Sequence, residues 1–207
     1  MPEDADATGG PVKLGAVLLA AGASSRMGTV KQLLPFGGTP MVARAVDAAL
    51  ASGARPVVVV LGAHAQAIGA AIADRPVIAV HNAQWEEGMA ASIRTGLAAA
   101  LAADPSLGAV LLAPCDLPGL SADVIRLLAS LHRATGRTSA ARYQGRNGAP
   151  AVFGRDHFGV LMAMSGKEGA RRLLNLESER VAAIDLPQLG ADIDTPADYA
   201  AWNDRQG

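Results

Sequence analysis

The sequence predicts an α/β fold in which helices cover both faces of a mostly parallel sheet, and two observations predict it. Short apolar runs rich in β-branched residues alternate with longer stretches of helical spacing. The runs carry few charges and little strict alternation, as expected of strands that are buried on both sides. Strands and helices that alternate along a chain are typical of a parallel sheet with helices on its two faces.

The predicted elements follow each other along most of the chain. The strands are the apolar runs at residues 12–20, 56–61, 77–80, 109–113 and 180–184. The helices have apolar residues on one face at a spacing of about 3.6 residues, and they cover residues 40–52, 89–103 and 120–131. Residues 137–153, rich in Gly, Arg and Asn, are predicted to hold a strand pair that extends the sheet or forms a lid.

Composition and charge exclude several classes of protein. Of the 207 residues, 50% are hydrophobic and 18% are charged, which predicts one globular domain over residues 12–207 after a loose acidic tail at residues 1–11. The 18 Lys and Arg nearly balance the 19 Asp and Glu, and aromatic residues make up 3%, so we expect no nucleic-acid partner. No apolar run reaches the length of about 18 residues at which a membrane span is considered, so we expect no membrane partner.

Cysteine usage points to a reducing compartment. The chain has one cysteine, Cys115, which cannot form an internal disulfide or supply a multi-cysteine zinc site. We therefore expect a cytoplasmic protein, with Cys115 as a small buried residue and not a nucleophile.

The loop after the first predicted strand contains small residues and two spaced cations, Arg26 and Lys31. Glycine and alanine let backbone amides approach an anion closely, and the cations can neutralise a polyphosphate. The loop is not a P-loop, because its lysine does not directly follow the second glycine, and its spacing is not that of a dinucleotide-binding fingerprint. The combination predicts a triphosphate site, with an ordinary Gly-rich turn bearing two solvated cations as the alternative.

Carboxylates at two places in the sequence can hold a metal. Asp116 directly follows the run at residues 109–113, and ligands of open α/β sheets bind at the carboxyl ends of the strands. Because Mg²⁺ typically takes one or two carboxylates plus phosphate oxygens, Asp116 is sufficient to start a site, although a turn is the alternative. Near the C-terminus, Thr195 is expected to cap a helix with Pro196 at its first position and Asp198 at its third, which leaves Asp194 unexplained by capping.

Residues 19–35, which read LAAGASSRMGTVKQLLP, resemble the signature of the nucleotidyltransferases that build molybdenum-cofactor dinucleotides. The resemblance extends from residue 12 to about residue 202. It implies a Rossmann-like, three-layer nucleotidyltransferase fold, an NTP whose phosphates lie on the first loop, and Mg²⁺-assisted transfer of a nucleoside monophosphate. The implied reaction is attack by the phosphate of a pterin cofactor on the α-phosphorus of the NTP, with pyrophosphate leaving.

The resemblance also assigns roles to individual residues. The catalytic residues that it implies are Arg26, Lys31 and Asp116. The nucleotide-binding residues are Leu19, Ala20, Ala21, Gly22, Arg26, Lys31, Gly62, Asn82, Gly88, Ser92 and Asp116. It implies Asp116 and Asp194 as metal ligands, with Asp194 favoured over Asp192. On the acceptor side it implies Asn147, Gly148 and Pro150. Lys167 stands where the family usually has Asp, and for Arg171 a binding role and a solvated helix start stay open.

The residues of the loop do not determine which base the NTP carries or which molecule accepts the nucleotide. The segments at residues 19–22 and 88–92 look closer to the cytidylyltransferase branch than to the guanylyltransferase branch, so CTP is favoured and GTP is the alternative. A nucleotidyltransferase for a sugar phosphate or another phosphorylated acceptor is a related alternative. A non-catalytic, cofactor-binding chaperone is a different class of function. A molybdoenzyme that receives the product is implied by the resemblance alone.

Overall fold

The computed structural model describes residues 12–25, 27–166, 169–176, 178–190, 193 and 195–204. The predicted tail at residues 1–11 therefore lies outside the described residues, as do Arg26, Lys167, Asp192 and Asp194. The strands are β1 (Leu14–Ala20), β2 (Pro35–Phe36), β3 (Thr39–Pro40), β4 (Val57–Leu61), β5 (Ile78–His81), β6 (Ala109–Pro114), β7 (Thr138–Tyr143), β8 (Arg146–Gly154) and β9 (Val181–Asp185). The helices are α1 (Met41–Ala51), α2 (Ala65–Ala70), α3 (Met89–Ala103), α4 (Ala122–Thr135), α5 (Phe158–Ala163), α6 (Arg171–Leu176) and α7 (Pro196–Asp204).

The main sheet is seven-stranded, in the order β5-β4-β1-β6-β8-β7-β9. Strand β8 is antiparallel to both of its neighbours, while β1, β4, β5 and β6 pair in parallel and β9 is parallel to β7. The prediction of a mostly parallel sheet is confirmed. Residues 137–153 extend this sheet through β7 and β8, so the lid alternative is wrong. A separate hairpin of β2 and β3, which the sequence pattern did not reveal, follows the first loop.

Helices cover both faces of the sheet, because alternate residues of each strand point to opposite sides. From β1, Leu18 packs in one core layer with residues of α1 and α4. Its neighbour Val17 packs in the other layer with residues of α3, α5 and α6. Gly96 lets α3 approach closely, since a Cβ there would lie 2.3 Å from Val17 Cγ1. In the part of the chain that the structure describes, no helix is both long enough and apolar enough to cross a membrane.

Helix ends differ from the sequence prediction where capping decides them. Helix α4 begins one residue after Ser121, whose hydroxyl accepts a hydrogen bond from the Val124 amide at 3.3 Å. It continues past the predicted end at residue 131 and stops at Gly136, whose φ of 65° favours glycine. The predicted cap of α7 is confirmed, since Thr195 Oγ1 accepts from the Asp198 amide at 3.2 Å and Asp198 Oδ2 accepts from the Thr195 amide at 2.8 Å.

The order of the strands positions the loops that carry the motifs. The chain passes from β1 to β4 and β5 on one side, and then returns to β6 on the other side of β1. A reversal of strand order opens a crevice at the carboxyl ends of the strands. The loops that follow β1, β4 and β6 therefore meet at one edge of the sheet, which brings Gly22 and Lys31 of the first loop close to Asp116.

Candidate active site

The loop after β1 is held in shape by two side chains. Ser24 has a φ of 53°, in the left-handed region that non-glycine residues seldom adopt. Its hydroxyl accepts a hydrogen bond from the Lys31 amide at 3.2 Å and donates one to Gln32 Oε1 at 3.0 Å. Gln32 Nε2 in turn donates to the Gly22 carbonyl at 3.0 Å. The loop is thus closed on itself between its first residues and Lys31.

The same loop offers free backbone donors beside a cavity. Among the described residues, we find no hydrogen-bond partner for the backbone amides of residues 22–25. A cavity of about 200 Å³, which we name the loop cavity, is lined by Gly22, Ser24, Ser25, Met27, Lys31, Gln32 and Asp116. Backbone amides and an ammonium group around a small cavity are suited to a phosphate chain.

Lys31 and Asp116 form an ion pair between two loops. The distance between Lys31 Nζ and Asp116 Oδ2 is 3.0 Å, and the lysine side chain is 10% exposed while the aspartate side chain is 32% exposed. The neighbouring Cys115 is fully buried, and this burial raises the pKa of its thiol well above the usual range. A thiol of this kind is not a nucleophile. The reactive groups at this edge of the sheet are therefore the charged side chains of Lys31 and Asp116.

The residues that are present fit a divalent cation held together with phosphates. The Asp116 carboxylate is partly exposed and lines the loop cavity. No group of three or more His, Cys, Asp or Glu side chains is placed to hold a metal within the described ranges. A single carboxylate suits Mg²⁺, which keeps several waters and takes phosphate oxygens as further ligands.

A second cavity, of about 410 Å³, lies between the loop and the start of α3, and we name it the α3 cavity. Its lining includes Leu19, Ala21, Gly22, Gly88 and Ser92, all implied as nucleotide-binding by the resemblance, together with Asp116. Gly88 precedes α3 with a φ of 116°, a backbone conformation that favours glycine. This turn leads the chain from Trp85 and Glu86, which also line the cavity, into the helix.

Three further residues implied as nucleotide-binding serve the framework around these cavities. Asn82 is buried, and its Nδ2 donates to Ser92 Oγ at 3.0 Å while its Oδ1 accepts from the Gln84 amide at 3.0 Å. Gly62 lies against Ala21, since a Cβ at Gly62 would be 2.5 Å from the Ala21 carbonyl oxygen. Ala20 is the buried last residue of β1. The structure thus places Asn82 and Gly62 where they hold the loops, and Ala20 in the core.

A third cavity, of about 420 Å³, lies over the strands on the far side of Asp116, and we name it the strand cavity. Its lining is mostly apolar and comprises Leu19, Met89, Ile93, Leu112, Ala113, Pro114, Leu117, Tyr143, Ala149, Ala151, Phe153, Ala170 and Leu174, with Lys31, Asp116 and Arg171 as charged members. The Tyr143 hydroxyl donates to the Ala149 carbonyl at 3.1 Å. Among the described residues, we find no partner for the Arg171 guanidinium.

The acceptor residues implied by the sequence lie beside the strand cavity and not in its lining. Asn147 is buried, and its Nδ2 donates to the Leu174 carbonyl at 3.2 Å, which ties β8 to α6. A Cβ at Gly148 would lie 2.5 Å from the Tyr143 hydroxyl. Pro150 is buried between Ala149 and Ala151, which do line the cavity. Because neighbouring residues of a strand point to opposite faces, Ala149 and Ala151 of β8 line the cavity while Pro150 points away from it.

Asp116 is the residue at which the three cavities meet. It lines the loop cavity, the α3 cavity and the strand cavity, and Lys31 lines the first and the third. Wider clefts of about 540 and 810 Å³ lie at the opposite edge of the sheet around Lys13 and Arg133. There Lys13 Nζ donates hydrogen bonds to Asp104 and Ser106, and none of the described residues singled out in the sequence lines these clefts. The Asp116 carboxylate, the Lys31 ammonium group and the loop amides for which we find no partner among the described residues therefore lie close together.

Comparison with known proteins decides the family. Residues 16–184 match the family model described as the MobA-like NTP transferase domain. The chain belongs to this family. It is therefore a nucleotidyltransferase, and the family resemblance of the first loop is confirmed.

Relatives and solved structures are similar to this chain along nearly its whole length. The chain is 38% identical over 191 residues, 86% of its length and 91% of the relative, to a protein named nicotine blue oxidoreductase from Paenarthrobacter nicotinovorans. Rv0371c from Mycobacterium tuberculosis superimposes with a TM-score of 0.78 at 31% identity, covering 94% of this chain and 100% of that one. The same mycobacterial protein in complex with manganese gives a TM-score of 0.72 at 30% identity, over 93% and 98% of the two chains.

Proposed function

We propose that this nucleotidyltransferase transfers the nucleoside monophosphate of an NTP, with CTP favoured, to the phosphate of a molybdopterin-type acceptor. The observation that carries the proposal is the position of Asp116, where the loop cavity, the α3 cavity and the strand cavity meet. A transfer reaction needs three neighbouring subsites, for the phosphates, the nucleoside and the acceptor. We assign them to these cavities in that order.

The proposed reaction exchanges one bond at phosphorus for another. An oxygen of the acceptor phosphate attacks the α-phosphorus, the bond from the α-phosphorus to the bridging oxygen breaks, and pyrophosphate leaves with the electron pair. The attacking phosphate is already ionised at neutral pH, so no general base is required of the protein. Because two anions must meet, cancellation of charge and alignment dominate the barrier.

The residues around Asp116 can supply this cancellation. Lys31 lines both the loop cavity and the strand cavity, so its ammonium can face the phosphates of both substrates. The free amides of residues 22–25 can hold the phosphate chain, and Arg26 is proposed to stabilise the leaving pyrophosphate. Asp116 would hold Mg²⁺, which when bound neutralises phosphate charge and fixes the line of approach. Asp194 is proposed as its second ligand, a role supported by its neighbour Ile193, which packs with Met27 of the loop.

The side chains that line the strand cavity favour a flat, anionic heterocycle over a sugar phosphate. A sugar presents many hydroxyl groups, and each loses free energy when it is buried without a hydrogen-bond partner. Most of the residues that line the cavity have alkyl or aromatic side chains, and the Tyr143 hydroxyl, the neutral polar side-chain group in this lining, already donates to a carbonyl. A flat heterocycle that carries anionic groups, such as a pterin phosphate, suits such a lining better.

The experiment that tests the proposal is thermal unfolding with CTP, GTP, UTP or ATP, each with and without Mg²⁺. A ligand that binds the folded state alone raises the unfolding midpoint, by about 5–10 °C at a hundredfold excess over Kd for a chain of this size. We expect the largest rise with CTP and Mg²⁺. A larger rise with GTP would transfer the proposal to guanylyl transfer on the same cofactor, and no rise with any nucleotide would contradict it.

Arg171 is expected to bind an anionic group of the acceptor, because this residue lines the strand cavity and we find no partner for its guanidinium in the described part of the chain. Arg171→Gln should raise the KM for molybdopterin about tenfold, the loss of one charge-assisted hydrogen bond, and leave the KM for the nucleotide unchanged. Steady-state pyrophosphate release measures both constants. Arg133→Gln, on the far edge of the sheet, serves as the control, and equal KM values for Arg171→Gln and wild type would exclude this role.

A second candidate function follows from the relative named nicotine blue oxidoreductase, whose length the chain covers to 91%. The strand cavity, which is lined mostly by alkyl and aromatic side chains, would also accommodate a conjugated heterocycle. Electron transfer between nicotine blue and a nicotinamide cofactor, followed by the absorbance of both, would support this function. The absence of such electron transfer would exclude this second candidate. Two accessory proposals accompany transfer, namely a molybdoenzyme that receives the product and a cytoplasmic location, which the single buried Cys115 supports.

A further inference from the structure

The loop after β1 has a strained backbone conformation at Ser24, and contacts with the rest of the protein must stabilise this conformation. A non-glycine residue in the left-handed region is less stable by about 1 kcal/mol or more, and it persists where the surrounding structure fixes it. Ser24 is half-buried, and its hydroxyl forms hydrogen bonds with the Lys31 amide and with Gln32 Oε1. The bonds to this hydroxyl reach the far end of the loop.

Gln32 connects this strained residue to the beginning of the loop. Its side chain is buried, and it joins Ser24 to the Gly22 carbonyl by bonds of 3.0 Å at each end of its amide. The residue follows Lys31 in a short 3-10 helix, so the same turn that positions the lysine side chain also positions the amide. Both ends of the amide group are occupied by the loop itself.

We infer that Ser24 and Gln32 form a clamp that holds the amides of residues 22–25 in the arrangement that binds the triphosphate. Gln32 is then a positioning residue, which acts on the nucleotide through the loop. The inference rests on the proposed function, because it requires that the loop binds the phosphates of an NTP. A loop that is already ordered loses less conformational entropy on binding, so the clamp increases affinity for the phosphate chain.

The test measures dissociation constants for three probes in the presence of Mg²⁺, namely CTP, inorganic tripolyphosphate and CMP. The variants are Gln32→Met, which keeps the length of the side chain without its hydrogen bonds, Ser24→Ala, and the two combined. Gln66→Met, at an exposed position of α2, is the matched control. Thermal unfolding of each variant confirms that it is folded, and Ser24→Ala carries the test alone if Gln32→Met does not fold.

We expect each single variant to raise the Kd for CTP and for tripolyphosphate about tenfold, the equivalent of about one net hydrogen bond. The Kd for CMP should rise by a clearly smaller factor, because CMP uses less of the loop. The double variant should lose less than the product of the two single losses, since partners in one network are not additive. A general loss of stability would instead weaken all three probes alike.

Two results would overturn the clamp. One is a folded Gln32→Met or Ser24→Ala protein that binds tripolyphosphate as tightly as wild type. The other is an equal loss of affinity for CMP and for CTP. If the wild-type protein itself binds no NTP and no tripolyphosphate, the proposed function has failed before the clamp is tested, so the two failures are distinguishable; if it binds GTP in place of CTP, the same test uses GTP and GMP.

Discussion

Asp116→Asn should lower the rate of Mg²⁺-dependent pyrophosphate release by a factor of about 10² to 10³. Asparagine keeps the shape of the side chain and can still accept a hydrogen bond from Lys31 Nζ, which lies 3.0 Å from Asp116 Oδ2. It lacks the negative charge that a divalent cation requires, so the loss should fall on metal-dependent turnover and not on folding. A coupled pyrophosphate assay at several Mg²⁺ concentrations, with thermal unfolding in parallel, measures both quantities.

The control for this variant is Asp74→Asn, at a side chain that is 80% exposed and outside the three cavities. It should release pyrophosphate at the wild-type rate. A wild-type rate for Asp116→Asn would remove Asp116 from the reaction. If the wild-type protein bound nucleotide and cofactor without releasing pyrophosphate, a non-catalytic chaperone would replace transfer as the function.

Gly62→Ala should weaken both the fold and the binding of nucleotide, because the new Cβ would lie 2.5 Å from the Ala21 carbonyl oxygen and 2.8 Å from Ala21 Cα. These are backbone atoms at the start of the phosphate loop, so the loop must shift. Overpacking of this kind typically costs about 1–3 kcal/mol in the free energy of unfolding. The displaced loop should also raise the Kd for the nucleotide about tenfold or more. Urea unfolding and calorimetric titration with CTP measure the two effects.

Gly69→Ala in α2 is the matched control, since its Cβ would meet Leu61 Cδ1 at an ordinary distance of 3.5 Å. In a helix, alanine is more favourable than glycine by up to about 1 kcal/mol, so this variant should be as stable as wild type or more so. The two substitutions should therefore have opposite signs. A Gly62→Ala protein with wild-type stability and affinity would refute the close packing of Gly62 against the loop.

Much of the fold could be predicted because its strands and longer helices have characteristic local patterns of apolar residues. Buried strands appear as uninterrupted apolar runs, and α1, α3 and α4 present one-sided apolar stripes. Helix α2 was missed because it is short and Ile68 is the one side chain it buries fully, so no stripe forms. The hairpin of β2 and β3 was missed because its strands have two residues each.

The site was predictable where chemistry follows the end of a strand. Lys31 and Asp116 both lie in loops that follow predicted strands, and in the structure their side chains form an ion pair. The clamp by Gln32 was not foreseen, because its bonds depend on how the loop folds back on itself and a lone glutamine before two leucines gives no signal. The acceptor side was harder, since the lining of the strand cavity depends on which residues of β8 face inward.

Transfer of a nucleotide to a pterin acceptor is measured most directly by the mass of the product. The protein is incubated with Mg²⁺, molybdopterin and CTP, and the pterin product and the pyrophosphate are quantified together. We predict a product heavier than molybdopterin by one cytidine monophosphate unit, with one pyrophosphate released for each product and neither formed without Mg²⁺. A pterin that stays unmodified with CTP and with GTP, in the presence of Mg²⁺ and of protein that binds the nucleotide, would contradict transfer to this acceptor.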